Sequence, residues 1–465
     1  MLGCTAEPAR ARYHTEAPAN RRARVSYDAA MPSRRRPGRA TLAVVAFVVT
    51  LAVIWLVAPQ PDIQRAVRPA PRPAVVAPGP HPDLLYGRVT AIDGETFTGR
   101  LRWAHREEAT WDDLFNGFKA ENPWAAYAPP VPVDDSRVYN IFGFELGKRD
   151  AAAQLRRPVV IRFGDLVRLD ATRERVTATL KSGSVVTMTR DGAGDFGDGV
   201  RVWSQEGHGV ELDARRIRSI EFHAPEPSTA TTPRLYGTVQ TRGGTFEGFI
   251  AWNRDDSLTT DPFEARVGRE LQMLPFSSIA AIERRPPDES LVTTTDARTL
   301  LMSGTSDANA DNRGVSVDDA RMGRVVVFAS ALIRVDFRPA PRHTGYADFA
   351  PGRPIDAEVV TSSGARVVGR LVFDLDESET TDVLDATAGD ITYTLPFSHI
   401  DSIAPHEAQP NGALRAVVTT RGGDTLVLDR SGDLADSNAG LLVFVAGATT
   451  PTYVAWRDVA RITLR

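Results

Sequence analysis

Side chains that could bind a metal ion are grouped in acidic loops along the chain. One loop carries Asp307, Asn309 and Asp311, whose oxygen atoms alternate along the backbone. Calcium loops use such alternation, together with a glycine at the sixth position and a bidentate glutamate at the twelfth. Here the glycine falls elsewhere and no such glutamate follows. These three residues are the calcium candidates of the chain, and an ordinary hairpin loop, which favours the same residue types, is the alternative.

Residue patterns of the common catalytic sites do not occur. The eight histidines are scattered without a His-x-x-x-His pair, and the nucleophile elbow, the phosphate loop and the dinucleotide fingerprint are missing. The single cysteine, Cys4, excludes an intrachain disulfide and a cysteine-based zinc site. The sequence therefore predicts no cofactor and no catalytic residue. An aspartate recurs nine residues after a strand-ending aromatic, at Asp112, Asp261 and Asp382, and we predict that it forms turns.

A segment rich in aromatic side chains is the second kind of candidate site. It interrupts a repeated pattern, since 58 positions separate Trp103 from Ile161 where the two later copies have 22. Aromatic side chains are enriched in binding hot spots, and long insertions on repeats often carry function. The alternative is that the segment caps the first repeat and buries its aromatics. The partner-binding candidates are Trp111, Phe115, Phe118, Trp124, Tyr127, Tyr139, Phe142 and Phe144.

The repeated pattern itself begins with a strand, a turn and a second strand. The clearest copy runs from Tyr236 to Trp252, with Gly243 at the turn and Gly248 inside the second strand. Apolar residues alternate along both strands, which indicates half-buried β-structure. The first glycine suits a tight turn, and the second predicts a bulge or sharp bend. Earlier and later copies span about 86–103 and 359–373.

A second landmark follows each hairpin. In the middle copy, Leu274-Pro275-Phe276 leads into Ile279 and Ile282, which predicts a one-turn corner with both isoleucines facing the core. Each repeat ends on a similar corner and strand, so six related units form three pairs. The Gly/aliphatic spacing and strand order of each unit resemble the small five-stranded barrels of the Sm-like and SH3-like type. The resemblance implies an all-β fold, and the residues by which Sm proteins hold RNA have no match in this chain.

The N-terminal part has a different composition. Residues 40–58 carry no charge, are nearly long enough to span a bilayer, and follow a cluster of arginines that favours a cytoplasmic N-terminus. A cleaved signal peptide is the alternative. The predicted organisation is a disordered cytoplasmic tail at 1–39, a transmembrane signal anchor at 40–58, a proline-rich linker at 59–82, and three β repeats at 83–222 (with the aromatic insertion at about 114–150), 234–337 and 354–465.

The distribution of charge along the chain disfavours one class of function, the binding of nucleic acid. Residues 1–58 carry a balance of +6, which leaves −10 on the remainder of a chain whose net charge is −4. An acidic body is a poor binder of nucleic acid. The sequence favours an anchored protein of the cell envelope with an extracytoplasmic, periplasmic or cell-surface body that binds or scaffolds an envelope protein or polymer. The alternatives are a carbohydrate- or peptidoglycan-active hydrolase and an Sm-like nucleic-acid-binding array.

Overall fold

The computed structural model describes residues 81–103, 109–127, 139–141, 144–146, 157–204, 208–226 and 234–465. The predicted tail, the predicted anchor and all but two residues of the linker lie outside this range. Within it, no helix has the length and apolar character needed to cross a membrane. The described chain is all-β, as the sequence predicts, and its helical segments are short 3-10 helices.

The strands fall into three consecutive groups. Repeat 1 contains β1 (Tyr86–Ala91), β2 (Thr96–Trp103), β3 (Leu114–Phe118), β4 (Tyr139–Ile141), β5 (Phe144–Leu146), β6 (Pro158–Arg162), β7 (Leu166–Ala171), β8 (Arg175–Leu180), β9 (Val185–Thr189), β10 (Val200–Trp203), β11 (Gly209–Leu212) and β12 (Ile217–Phe222). Repeat 2 contains β13 (Leu235–Thr241), β14 (Thr245–Trp252), β15 (Pro262–Val267), β16 (Glu270–Pro275), β17 (Ile279–Arg285), β18 (Glu289–Thr294), β19 (Thr299–Ser303), β20 (Val315–Asp319), β21 (Gly323–Val327) and β22 (Leu332–Phe337). Repeat 3 contains β23 (Ile355–Thr361), β24 (Arg366–Val372), β25 (Val383–Ala388), β26 (Ile391–Pro396), β27 (Ile400–Ala408), β28 (Leu414–Thr420), β29 (Thr425–Leu428), β30 (Leu441–Phe444), β31 (Thr452–Val454) and β32 (Val459–Leu464). The 3-10 helices span Ala125–Tyr127, Phe163–Asp165, Gly194–Asp198, Ala214–Arg216, Phe276–Ser278, Tyr346–Asp348, Phe397–His399, Gly432–Leu434 and Trp456–Asp458.

One strand order recurs in all three repeats. In repeat 2 it reads β16-β15-β19-β18-β17-β22-β13-β14-β20-β21. Repeats 1 and 3 reproduce its last eight positions, as β9-β8-β7-β12-β1-β2-β10-β11 and β29-β28-β27-β32-β23-β24-β30-β31. Sheets of repeats 2 and 3 are joined, because β26 pairs with β21 and carries β25 with it.

The pairing divides each repeat differently from its sequence halves. The opening hairpin β13–β14 pairs with β22 and β20 from the end of the repeat. The five middle strands, β15 to β19, pair among themselves, and β17 joins β22 to connect the two groups. The last strand of the first sequence half, β17, and the first strand of the second half, β18, form a hairpin and are therefore neighbours in the sheet. One group therefore consists of consecutive strands from the middle of the repeat. The other combines strands from the beginning and the end of the repeat.

The predicted corners are confirmed. A 3-10 helix separates β16 from β17, and Ile279 and Ile282, which follow it in β17, are both buried. Corresponding helices lie before β7 and β27. Each brings a phenylalanine into the core beside the aromatic that ends the second strand, as Trp252 and Phe276 do at 6.5 Å.

The second strand of each hairpin requires its internal glycine for a reason other than the expected bulge. Gly248 sits in regular register opposite Gly237. A Cβ at Gly248 would lie 2.1 Å from the backbone oxygen of Asp318 on β20. Close approach of two strands requires glycine here, and the same approach occurs at Gly99 and Gly369. The prediction of a bulge or bend at this position is wrong because the crowding comes from a neighbouring strand that is distant in sequence.

Candidate functional site

Two of the predicted partner-binding aromatics lie in the core of repeat 1. Trp111 and Phe115 are fully buried, and Phe118 is half-buried. The indole nitrogen of Trp111 donates to the Pro82 oxygen at 2.8 Å, and Phe115 packs within 6.4 Å of Trp103. Their burial leaves them no surface to offer a partner. This part of the insertion follows the alternative in which the aromatics complete the first repeat.

The next stretch, residues 119–127, docks on repeat 3. Lys119 Nζ lies 2.6 Å from the Asp376 carboxylate, and the Asn122 amide donates to the Leu375 oxygen at 2.9 Å. The Trp124 ring packs edge-on against Phe444 at 5.7 Å. We call these contacts the repeat 1–3 clasp. Trp124 thus packs against the third repeat of its own chain.

The remaining aromatic candidates are less defined. Tyr127 is 48% exposed and still lies 6.1 Å from the Phe444 ring. Tyr139 and Phe144 belong to the short hairpin of β4 and β5, whose side chains are outside the description. Phe142 lies outside the described residues. Partner binding by these four residues stays a prediction.

Buried carboxylates surround the clasp on the repeat 3 side. Arg157 pairs with Asp374 at 3.1 Å. Burial raises the pKa of Asp374 to about 7 despite that pairing. Burial, with the neighbouring Asp376 and Asp433, also raises the pKa of Glu377 well above its usual range. Although burial opposes it, the surrounding carboxylates raise the pKa of Lys119.

Perturbed carboxyl groups of this kind are also a feature of hydrolase sites. Here their partners are Lys119 and Arg157 from repeat 1. The group therefore lies in an interface between two repeats, where its carboxylates are paired with cations of the same chain.

Repeats 1 and 2 meet in a second buried ion cluster. Arg234 pairs with Asp112 at 2.6 Å and Asp318 at 3.3 Å. Arg324 pairs with Asp318 at 2.7 Å and Asp113 at 3.0 Å. Burial lowers the pKa of Arg324, but the three aspartates outweigh it and raise that pKa overall. Two arginines share three carboxylates, so removing one arginine would leave buried carboxylates uncompensated, which typically costs about 3–5 kcal/mol.

A cavity of about 130 Å³ lies where the three repeats meet. Leu114 and Arg162 of repeat 1, Arg324 of repeat 2 and His399 of repeat 3 contribute to its wall, and Arg342 adds the connector between repeats 2 and 3. Burial and the charge of Arg162 lower the pKa of His399, which keeps its ring neutral. The cavity is well below the roughly 300–1,000 Å³ of typical organic-ligand pockets. It suits a few ordered waters or a small ion.

The recurring acidic residues hold the backbone. The Asp261 carboxylate accepts the N–H groups of Ser257 and Leu258, at 3.0 and 2.8 Å. Asp382 does the same in repeat 3, as the turn prediction expects. In repeat 1 the equivalent residue is Asp113, one position after the predicted Asp112, which belongs to the ion cluster instead.

The calcium candidates lie in a loop whose polar groups are engaged. Asp307 is buried and accepts the N–H of Glu264 at 2.8 Å. Asn309 accepts the N–H of Asp311 at 2.9 Å. Asp195 and Asp433 occupy the position of Asp307 in the other repeats and make the same contact to β3 and β25. Calcium binding stays a prediction, and the repeated role of this aspartate is to hold a strand.

Strand β16 forms an end of the twelve-stranded sheet. It is six residues long, and its side chains Leu271 and Met273 are 48% and 53% exposed. The equivalent strand of repeat 3, β26, is covered by β21. The other end of this sheet, β25, also has six residues, but its Val383 and Leu384 are buried. The end strands β11 and β31 of the other two sheets are shorter, with four and three residues.

Sequence patterns do not reveal one group of side chains that could bind a metal ion. His81, Asp83 and His343 bring three ligand atoms within 4.8 Å of one another. The two histidines are separated by 262 positions, so no local motif reveals them. The His-Pro-Asp run at 81–83, directly before the first strand, is the signal that the sequence does contain.

We compared the chain with protein-family models, with curated proteins and with solved structures, and none of them matches. Its function is therefore inferred from the geometry of its own residues.

Proposed function

We propose that this chain is a membrane-anchored scaffolding protein of the cell envelope whose β body associates with a second copy of itself through the edge of β16. Residues 40–58 would form the anchor, the N-terminus would be cytoplasmic, and the proline-rich linker would carry the body outside. In this proposal each repeat is a pair of small barrel-like units, namely the middle strands and the outer strands. The observation that carries it is the exposed apolar edge of β16.

An edge strand offers unpaired backbone groups to any strand that can approach it. Native proteins usually blunt such edges with short strands, charges or covering segments. Repeat 3 illustrates covering, since β26 is paired along its free side by β21. In repeat 2 the same position presents Leu271 and Met273 to solvent. The β21–β26 pair shows that a strand at this position can extend the sheet of another repeat.

The sequence of β16 favours pairing with itself. In an antiparallel pair centred on Gln272, Leu271 of one copy lies opposite Met273 of its partner, and the reverse. Directly opposed apolar side chains stabilise a pair of strands by roughly 0.2–1 kcal/mol each. A two-fold arrangement uses the same patch on both copies, which is the commonest symmetry of soluble oligomers.

Light scattering on the full chain, purified in detergent, tests this proposal. We expect a dimer for the unmodified chain and a monomer for Met273→Lys, because each lysine would place its charge opposite the apolar Leu271 of the other copy. Val427→Lys is the matched control, since Val427 is 49% exposed on the end strand β29 of repeat 3. A monomeric unmodified chain, or equal dissociation by Val427→Lys, would reject β16 as the contact.

The membrane topology needs a separate test. We expect a C-terminal reporter that is active only outside the cytoplasm to be active, and a cytoplasm-specific reporter to be silent. The reverse result would reject the envelope location and revive the Sm-like alternative.

A further inference from the structure

The cluster of His81, Asp83 and His343 connects two distant parts of the chain. His81 and Asp83 lie directly before β1 and are almost fully buried. His343 lies in the connector between repeats 2 and 3, and its side chain is 41% exposed. The two imidazole rings are 4.8 Å apart, edge to face. Residues that begin the body thus meet a connector that follows the second repeat.

Distances inside the cluster differ from those of good hydrogen bonds. The Asp83 Oδ2 atom lies 3.5 Å from His343 Nδ1 and 3.9 Å from His81 Nδ1. Good hydrogen bonds to nitrogen span about 2.7–3.2 Å. Two ligands on one tetrahedral zinc ion, each bonded at about 2.0–2.1 Å, are separated by about 3.3 Å. To hold one ion, the three ligand atoms would move together from separations of up to 4.8 Å to about 3.3 Å, which small rotations of the two imidazole rings would allow.

Backbone N–H groups hold the side chains of Asp83 and His81 in position. Asp83 Oδ1 accepts the Thr344 N–H at 2.7 Å, which fixes the carboxylate with Oδ2 toward the two rings. Such hydrogen bonds to the second oxygen are typical of ligating carboxylates. His81 Nδ1 accepts the Asp83 N–H at 3.3 Å, so this nitrogen carries its lone pair, and an ion bound there would replace this long hydrogen bond. The neutral imidazole is the form that binds metals.

We propose that His81, Asp83 and His343 bind a divalent transition metal ion of the zinc class. Two imidazoles and one carboxylate suit Zn²⁺, whereas Ca²⁺ and Mg²⁺ prefer oxygen ligands alone. Three protein ligands leave a fourth position on the exposed side of His343 for water. The bound ion clamps the start of the body to the connector. This inference is independent of the self-association through β16.

Equilibrium dialysis of the metal-stripped full chain against Zn²⁺, with the retained metal counted, tests the site. We expect one equivalent per chain, and binding weaker by roughly tenfold or more for His343→Ala. His343 is partly exposed, so its replacement leaves the core packing intact. His208→Ala is the matched control, since His208 is exposed and does not belong to the cluster. Failure to retain zinc, or an equal loss in both variants, would overturn the proposal.

Trypsin cleavage gives a readout that does not count metal. Arg342 is 65% exposed and precedes His343. We expect Zn²⁺ to slow cleavage after Arg342 in the unmodified chain and in His208→Ala, because the clamped connector fits a protease poorly. The His343→Ala chain should be cut at the same rate with and without zinc. Slowing by zinc in His343→Ala as well would place the ion elsewhere and overturn the assignment.

Discussion

At the scale of single residues, most of the conspicuous polar and small side chains hold the backbone. Asp261 and Asp382 cap turns, and Asp307 holds the neighbouring strand β15. The sequence could predict the turn-forming aspartates because their contacts are local. It could not predict the role of Asp307 or of Gly248, because each depends on a strand that is distant along the chain.

Replacement of Gly248 tests the close approach of β14 and β20. We expect Gly248→Ala to lower the free energy of unfolding by about 2–4 kcal/mol, because the added methyl group would overlap the Asp318 carbonyl. Gly197→Ala is the control, since a Cβ there meets no atom within 4 Å. Chemical denaturation of the full chain measures both. Equal stability of the two variants would contradict the crowding.

The buried carboxyls of repeat 3 make stability depend on pH. Burial raises the pKa of Asp374 to about 7 and that of Asp385 to about 6, from 3.8. The folded chain therefore holds protons that the unfolded chain has already released, and stability falls as pH rises from about 4 to 7. We expect the free energy of unfolding to be lower at pH 8 than at pH 5 by roughly 3 kcal/mol.

Denaturation at the two pH values, with Asp374→Asn beside the unmodified chain, measures this effect. The amide cannot ionise, so the variant should lose a large part of the difference. Asp296→Asn is the control, since Asp296 is exposed and hydrogen bonds from Thr294 and Arg298 lower the pKa of its carboxyl, so that it is ionised at both pH values. Stability that rises between pH 5 and pH 8 would show that these carboxyls are ionised in the folded chain.

At the scale of elements, local sequence patterns predicted the strands and corners but not which strands pair with each other. Alternating apolar residues and turn glycines predicted the hairpins, and the two isoleucines three apart predicted the corner at Phe276–Ser278. Pairing of β13 with β22 joins residues about 100 positions apart, which no local pattern encodes. For the same reason the sequence identified the aromatic insertion without showing that Trp124 packs on repeat 3.

Docking of the insertion on repeat 3 is testable at Trp124. We expect Trp124→Ala to lower the free energy of unfolding by about 1–3 kcal/mol, because a half-buried ring loses its contact with Phe444. Ile92→Ala should change it by less than about 0.5 kcal/mol, since Ile92 is 67% exposed. Thermal or chemical denaturation compares them. A neutral Trp124→Ala would mean that the clasp contributes nothing and that this ring is available to a partner.

At the scale of the whole molecule, every pair of repeats is in contact. Repeats 2 and 3 share a sheet through β21 and β26. Repeats 1 and 2 share the ion cluster around Arg324, and repeats 1 and 3 share the clasp around Lys119. These contacts cover Lys119, Trp124 and the free side of β26. The exposed edge of β16 is left as the surface that our proposal assigns to association between copies.

Disulfide formation at Gln272 tests that association most directly. In a Cys4→Ser background, Gln272→Cys adds the one cysteine of the full chain, and a two-fold pair of β16 strands brings the two thiols within reach of a disulfide. We expect mild oxidation to give a covalent dimer with Gln272→Cys and none with a cysteine at Val427. Persistence of the monomer, or equal cross-linking from Val427, would contradict the scaffold that we propose.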